Sequence, residues 1–110
     1  MGAAGVILAA AAAHVASNAG LDSAAYMLLF HATALLGGIA LQRQGLVLKA
    51  MAFVALAGWA LGGALFSGDI ALRALAGHRL FVMAAPIGGT ILIGAWLAFA
   101  VAAVGGFVRR

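Results

Sequence analysis

Residues 46–66 read LVLKAMAFVALAGWALGGALF, an apolar run with one cation, Lys49, near its start and no acid. Wound as a helix rising about 1.5 Å per residue it measures roughly 31 Å, the thickness of a bilayer's hydrocarbon core. The run is continuous and rich in Ala and Leu, without the alternation of polar and apolar residues that a barrel strand needs. The same pattern recurs on either side. Residues 2–16 are short and Ala-rich and stop at Ser17-Asn18-Ala19-Gly20-Leu21-Asp22-Ser23, where turn formers mark a loop. Residues 24–41 form another run, closed by Gln42-Arg43-Gln44-Gly45, and residues 86–107 form the last, ahead of Arg109-Arg110. Ser67-Gly68-Asp69 predicts the end of the third span. Residues 80–107 are more than one crossing requires, and Pro86 with Gly88-Gly89 disturbs a continuous helix. The sequence therefore predicts a broken or interfacial segment over 69–85, with the main span starting at Pro86.

Composition supports this reading. The chain has 110 residues, 67% hydrophobic and 7% charged, with a mean hydropathy of +1.23. That leaves too few polar side chains to coat a water-soluble globule. The expected fold is all-α: a polytopic membrane protein, residues 1–110 forming one transmembrane domain of four helices surrounded by the lipid bilayer. The net charge of +4 comes from scattered Lys and Arg, without the clustered basic and aromatic face that nucleic acid requires. With four spans, Arg43, Lys49, Arg109 and Arg110 share the side of both termini, and Arg73 and Arg79 lie opposite with Asp22 and Asp69. The positive-inside rule then makes the termini cytoplasmic. No cation precedes the first apolar run, so a cleaved signal peptide is not expected.

Several chemistries lack material. There is no cysteine, which removes disulfides, iron–sulfur ligation and thiolate zinc sites. Asp22 and Asp69 are the only carboxylate side chains, too few for a glycosidase pair or an oxygen-rich Mg²⁺ or Ca²⁺ site. No phosphate-cradling glycine loop followed by Lys occurs.

The remaining unusual residues form a candidate polar or ligand layer: His14, His31, Ser67, Asp69, Pro86, Gly88 and Gly89. The loop after the first span places His14 near the far face, and His31 lies about 10 Å inside the second span from that face. Ser67 and Asp69 emerge on the same side, so these groups are expected near one another in one half of the membrane. Asp69 is expected partly exposed there, with Arg73 one turn later as its partner. His31, remote from water, should turn its ring into the bundle to meet a hydroxyl, a carbonyl, His14 or a ligand, because an unpartnered polar group in hydrocarbon is costly. Gly58 and Gly62 form a Gly-x-x-x-Gly pair suited to close helix packing, within one chain or between two. Trp59 and Trp96 read as packing residues and Tyr26 as part of an interfacial belt.

Leu65-Phe66-Ser67-Gly68, then Ala85-Pro86-Ile87-Gly88-Gly89, with Trp96 seven residues beyond, resembles a known pattern. Ala12-Ala13-His14 near the first loop, and Tyr26 and His31 followed by Ala32-Thr33-Ala34-Leu35, extend the likeness over roughly residues 5–100. The chain is similar to the small bacterial inner-membrane proteins grouped as domain of unknown function 423, which also have a mitochondrial counterpart in animals. It departs from them at Ala11 or Ala12 and at Ala95, where the family often has Gly, and at Asp69 to Ala71, where it has Ser followed by an aromatic. The resemblance implies a four-helix inner-membrane protein and supplies no activity.

Three functional readings follow from the residues. The first is a non-enzymatic accessory or structural component of a larger membrane complex or homo-oligomer, since small-residue faces are plentiful and a reaction-capable polar set is missing. The second is a proton or small-solute conductor using His14, His31 and Asp69. The third is a redox subunit holding haem or quinone near His14 and His31, whose imidazoles could supply axial ligands.

Overall fold

The computed structural model describes residues 1–14 and 20–109. Four helices account for most of them: α1 (Gly2–His14), α2 (Leu21–Arg43), α3 (Lys49–Ala76) and α4 (Ala84–Arg109). No strand occurs among the described residues. The expected end of the first span at 15–16, the start of its loop at 17–19, and Arg110 lie outside them.

Three helices, α2, α3 and α4, are long and apolar enough to cross a membrane, with mean hydropathies of 1.7, 1.7 and 2.3. The described part of α1 is 13 residues, about 20 Å, which is apolar but shorter than a bilayer core. Among the described residues, then, three of the four expected spans are helices of spanning length, and the fourth, α1, is likewise apolar.

The largest departure from expectation is in α3. Ser67-Gly68-Asp69 does not end it; the helix continues through these residues to Ala76. Ile70-Ala71-Leu72-Arg73-Ala74-Leu75-Ala76 is a run of strong helix formers, and Arg73 lies one turn after Asp69, close enough to pair with it. Termination comes at Gly77, whose left-handed conformation (φ 79°) lets its N–H reach the Arg73 carbonyl. The non-helical interval is thus 77–83 and not 69–85. Pro86 does not break α4 either. It is the third residue of the helix, in the first turn, where a missing N–H removes no internal bond. The N–H of Ile87 still reaches the Met83 carbonyl at 2.9 Å.

The helices pack in chain order into a flattened bundle of 52 × 26 × 13 Å, with α3 on α4 the broadest interface. Glycines set the approach of these two. A Cβ built on Gly62 would stand 2.9 Å from the Gly88 carbonyl oxygen, and one on Gly88 would stand 2.6 Å from the Phe66 nitrogen. One turn away, a Cβ on Gly58 would meet the Ala95 methyl at 2.7 Å. At the other end Gly106 lies against the carbonyl of Leu46 and the Cα of Val47, and the Leu48 N–H donates to the Ala102 carbonyl at 3.0 Å. Between these anchors Leu56, Trp59, Leu92 and Ala95 form the main core, flanked by Met27, Leu35, Phe66 and Phe99. On the opposite edge α1 seats Gly5 against Leu29 and Ala25 of α2.

Candidate functional site

Three buried polar side chains occupy two separate levels of the bundle. At the first level Ser67 and Asp69 sit where α3 passes the beginning of α2. The Ser67 hydroxyl, fully buried, donates to the Ala24 carbonyl at 3.0 Å and clips α3 to α2. Asp69 is 2% exposed, which corrects the expectation of a partly exposed acid. The linker after α3 folds back over it, and the Leu80 N–H donates to its Oδ1 at 3.0 Å. The expected partner is present: Arg73 Nε stands 3.6 Å from Oδ2. The carboxylate therefore holds a loop end in place while a neighbouring cation balances its charge.

The second level is about 10 Å deeper, seven residues along α2 from Ala24. There the buried His31 ring spans from its own helix to α4. Its Nδ1 lies 2.7 Å from the Met27 carbonyl, and Trp96 Nε1 lies 3.0 Å from its Nε2. An indole N–H only donates, so Nε2 is the acceptor and the proton resides on Nδ1, facing a carbonyl that only accepts. Both bonds are satisfied by one neutral tautomer. Trp59 completes the cluster, its ring centroid 4.5 Å from that of Trp96 and 6.5 Å from that of His31, with Phe99 5.1 Å beyond. The Trp59 Nε1 is buried without a hydrogen-bond partner. An apolar groove of about 280 Å³, lined by Met27, His31, Phe66, Gly89, Leu92 and Trp96 among others, opens beside the cluster.

His14 stands apart from both levels. It is exposed at the end of α1, and among the described residues no hydrogen bond or ring contact joins it to His31, Ser67 or Asp69. The expected single layer is thus divided: Ser67 and Asp69 near one end, His31 deeper, His14 outside. Pro86, Gly88 and Gly89 serve the start of α4. Gly88 seats on α3, Gly89 borders the groove, and the Thr90 hydroxyl donates to the Pro86 carbonyl at 2.8 Å.

The chemistry of this arrangement is restrictive. With both His31 nitrogens engaged, neither is free to ligate a haem iron, and His14 is not placed to supply a second axial ligand. A relay through His31 would need a proton on Nε2, where Trp96 already donates. No group of three or more His, Cys, Asp or Glu able to hold a metal ion occurs among the described residues. Sequence reasoning did not find the His31–Trp96 bond. The residues are separated by 65 positions, and nothing local to Trp96 distinguishes a hydrogen-bonding indole from a packing one. The Leu80 N–H was equally invisible, since a backbone donor has no signature in sequence.

Neither a curated protein nor a solved structure matches the chain. A family model does, over residues 8–89, an interval that contains His14, His31, Ser67, Asp69 and the first residues of α4, Pro86 to Gly89 among them, but stops short of Trp96. The match covers well over half of the chain, and the chain belongs to the family described as "Protein of unknown function (DUF423)".

Proposed function

We propose that this protein is a non-enzymatic accessory component of a membrane complex, held in the bacterial inner membrane with both termini on the cytoplasmic side. The observation that carries this reading is how the buried polar side chains are used. Ser67 joins α3 to α2, Asp69 fixes the linker, and His31 joins α2 to α4. Each of these groups makes a structural joint, and none presents a free base, nucleophile or ligand atom to a substrate. The bundle is flat, and only 22–33% of the most apolar window of each long helix is buried within the chain. Much apolar helix surface is therefore left for lipid or for the helices of a neighbour.

The test is purification at native expression in mild detergent, with cross-linking before extraction and mass spectrometry after it. A reproducible stoichiometric membrane partner is the expected result. A monodisperse protein without a specific partner counts against the accessory role. The orientation rests on Arg43, Lys49 and Arg109 gathering at one end and Arg73 and Arg79 at the other. Reporter fusions after the carboxyl terminus and within the linker at Gly77 should accordingly give opposite signals. Equal signals would remove the topology.

A further inference from the structure

The register of the helices fixes where the linker lies. Gly20, just ahead of α2, faces Ile70, with a built Cβ 3.2 Å from its Cγ2. The pairing of Gly88 with Phe66 and Gly62 places the beginning of α4 at a similar height on α3. Both neighbours of α3 therefore begin near Ile70. From Lys49 to Ile70 the helix rises about 32 Å, which accounts for the hydrocarbon core. The rest of α3, residues 71–76, adds about 9 Å, placing its end at headgroup depth.

From Gly77 the chain turns back. The Leu80 N–H meets Asp69, eleven residues earlier, and a Cβ on Gly68 would lie 3.6 Å from Leu80 Cδ1. Leu80 has thus descended to the level of Gly68 and Asp69, the boundary between headgroups and hydrocarbon. It opens an apolar quartet, Leu80-Phe81-Val82-Met83, whose residues are 48%, 47%, 76% and 54% exposed. Four consecutive large apolar residues facing water are unfavourable, whereas at this depth they enter the leaflet. The crest just before them carries His78 and Arg79, both exposed. Of the acids at this end, Asp69 is engaged by Leu80 and Arg73, and Asp22 is partnered as well. Among the described residues no ion pair engages Arg79, and it stands where lipid phosphates lie.

We propose that residues 71–83 form a lipid-seated knuckle, with Leu80–Met83 inserted at the boundary of the leaflet opposite the termini and Arg79 contacting the phosphate of an anionic phospholipid. The proposal rests on the membrane reading of α2, α3 and α4. Asp69 is the element that makes it a defined surface, because its bond to Leu80 holds the returning chain at this depth.

The absence of native cysteine permits single-site spin labels. Val82→Cys, His78→Cys and Val101→Cys, the last on the exposed face of α4, would be labelled and reconstituted into vesicles of phosphatidylcholine and phosphatidylglycerol. Collisions with oxygen and with a water-soluble nickel chelate are then compared. The proposal expects oxygen-dominated collisions at positions 82 and 101 and nickel-dominated collisions at 78. Nickel access at 82 with oxygen dominance at 101 means that the linker stands in water, as a surface for a soluble partner would, and overturns the proposal alone. Nickel access at 101 overturns the membrane reading, and the proposal with it. For the phosphate contact, native mass spectrometry of the detergent-purified chain with added phosphatidylglycerol should show about fivefold weaker retention in Arg79→Gln, and wild-type retention in Arg79→Lys. Equal retention in Arg79→Gln and wild type overturns that contact.

Discussion

Gly62→Leu is expected to lower the thermal midpoint in detergent sharply, while Ala60→Leu, two residues away on an exposed face, leaves it nearly unchanged. The difference lies in what the new side chain meets. A Cβ at position 62 would stand 2.9 Å from the Gly88 carbonyl oxygen, 3.0 Å from Leu92 Cγ and 3.1 Å from Ile91 Cγ2. The two leucine or isoleucine atoms belong to side chains that can adjust by rotation. The carbonyl belongs to the backbone of α4 and moves only if the helices separate. The contact is reciprocal, since a Cβ on Gly88 would stand 2.9 Å from the Gly62 carbonyl, so separation opens the whole α3–α4 seam, including the Gly58–Ala95 contact one turn away. Overpacking typically costs about 1–3 kcal/mol, and a contact against backbone belongs at or above the upper end. Ala60→Leu places its atoms outside the bundle, where an apolar side chain enters lipid without displacing a helix. Thermal unfolding of both variants in one detergent, followed by circular dichroism, is the measurement. Equal midpoints would mean that Gly62 is not at a tight interface.

The same contacts show which features were legible in the sequence. Gly58 and Gly62 were readable as a pair because helix periodicity alone puts residues four apart on one face. Their partner was not readable, because Ala95 and Gly88 are brought opposite only by the register of α4. The apolar runs were likewise plain, because hydrocarbon imposes a minimum length on any helix that crosses it. Ser67-Gly68-Asp69 predicts an end that α3 does not have, because Ser-Gly-Asp is a turn composition in water. Here Ser67 and Asp69 find their oxygen and nitrogen partners on other segments, Ala24 and Leu80, so neither competes with its own helix. Pro86 differs from expectation for a related reason: proline breaks a helix interior and suits a first turn, and which of the two applies depends on where the helix starts, which the apolar run from Leu80 does not mark. The candidate layer failed differently. Counting residues from a loop puts its members at one depth, but such counting fixes height along a helix and not the face. His31 faces α4 and His14 faces outward, so similar heights would not have joined them.

His31 and Trp96 yield the second large effect. His31→Phe retains ring volume but removes the acceptor from the Trp96 N–H, and Trp96→Phe removes the donor from His31 Nε2. In a bundle surrounded by lipid no water takes over the orphaned group, and each single change is expected to cost about 1–3 kcal/mol. The Met27 carbonyl matters less, because a carbonyl in a helix retains its backbone bond. Trp96→Phe also weakens ring packing on Trp59, 4.5 Å away, so its cost exceeds the hydrogen bond alone. The double variant separates the two contributions. Packing lost against Trp59 enters both the single and the double change and cancels, whereas the hydrogen bond can be lost only once. The double variant should therefore be more stable than the sum of the singles implies, by about 0.6 kcal/mol, the mean for polar pairs within membrane bundles, and by no more than about 1.7 kcal/mol, the largest such value. Denaturant unfolding of the four proteins in mixed micelles supplies the cycle. Strict additivity, within about 0.5 kcal/mol, would show that the two rings are neighbours without a bond. It would also return His31 to the residues with a free nitrogen, and with it the proton-carrying and haem-binding roles that the bond to Trp96 now opposes.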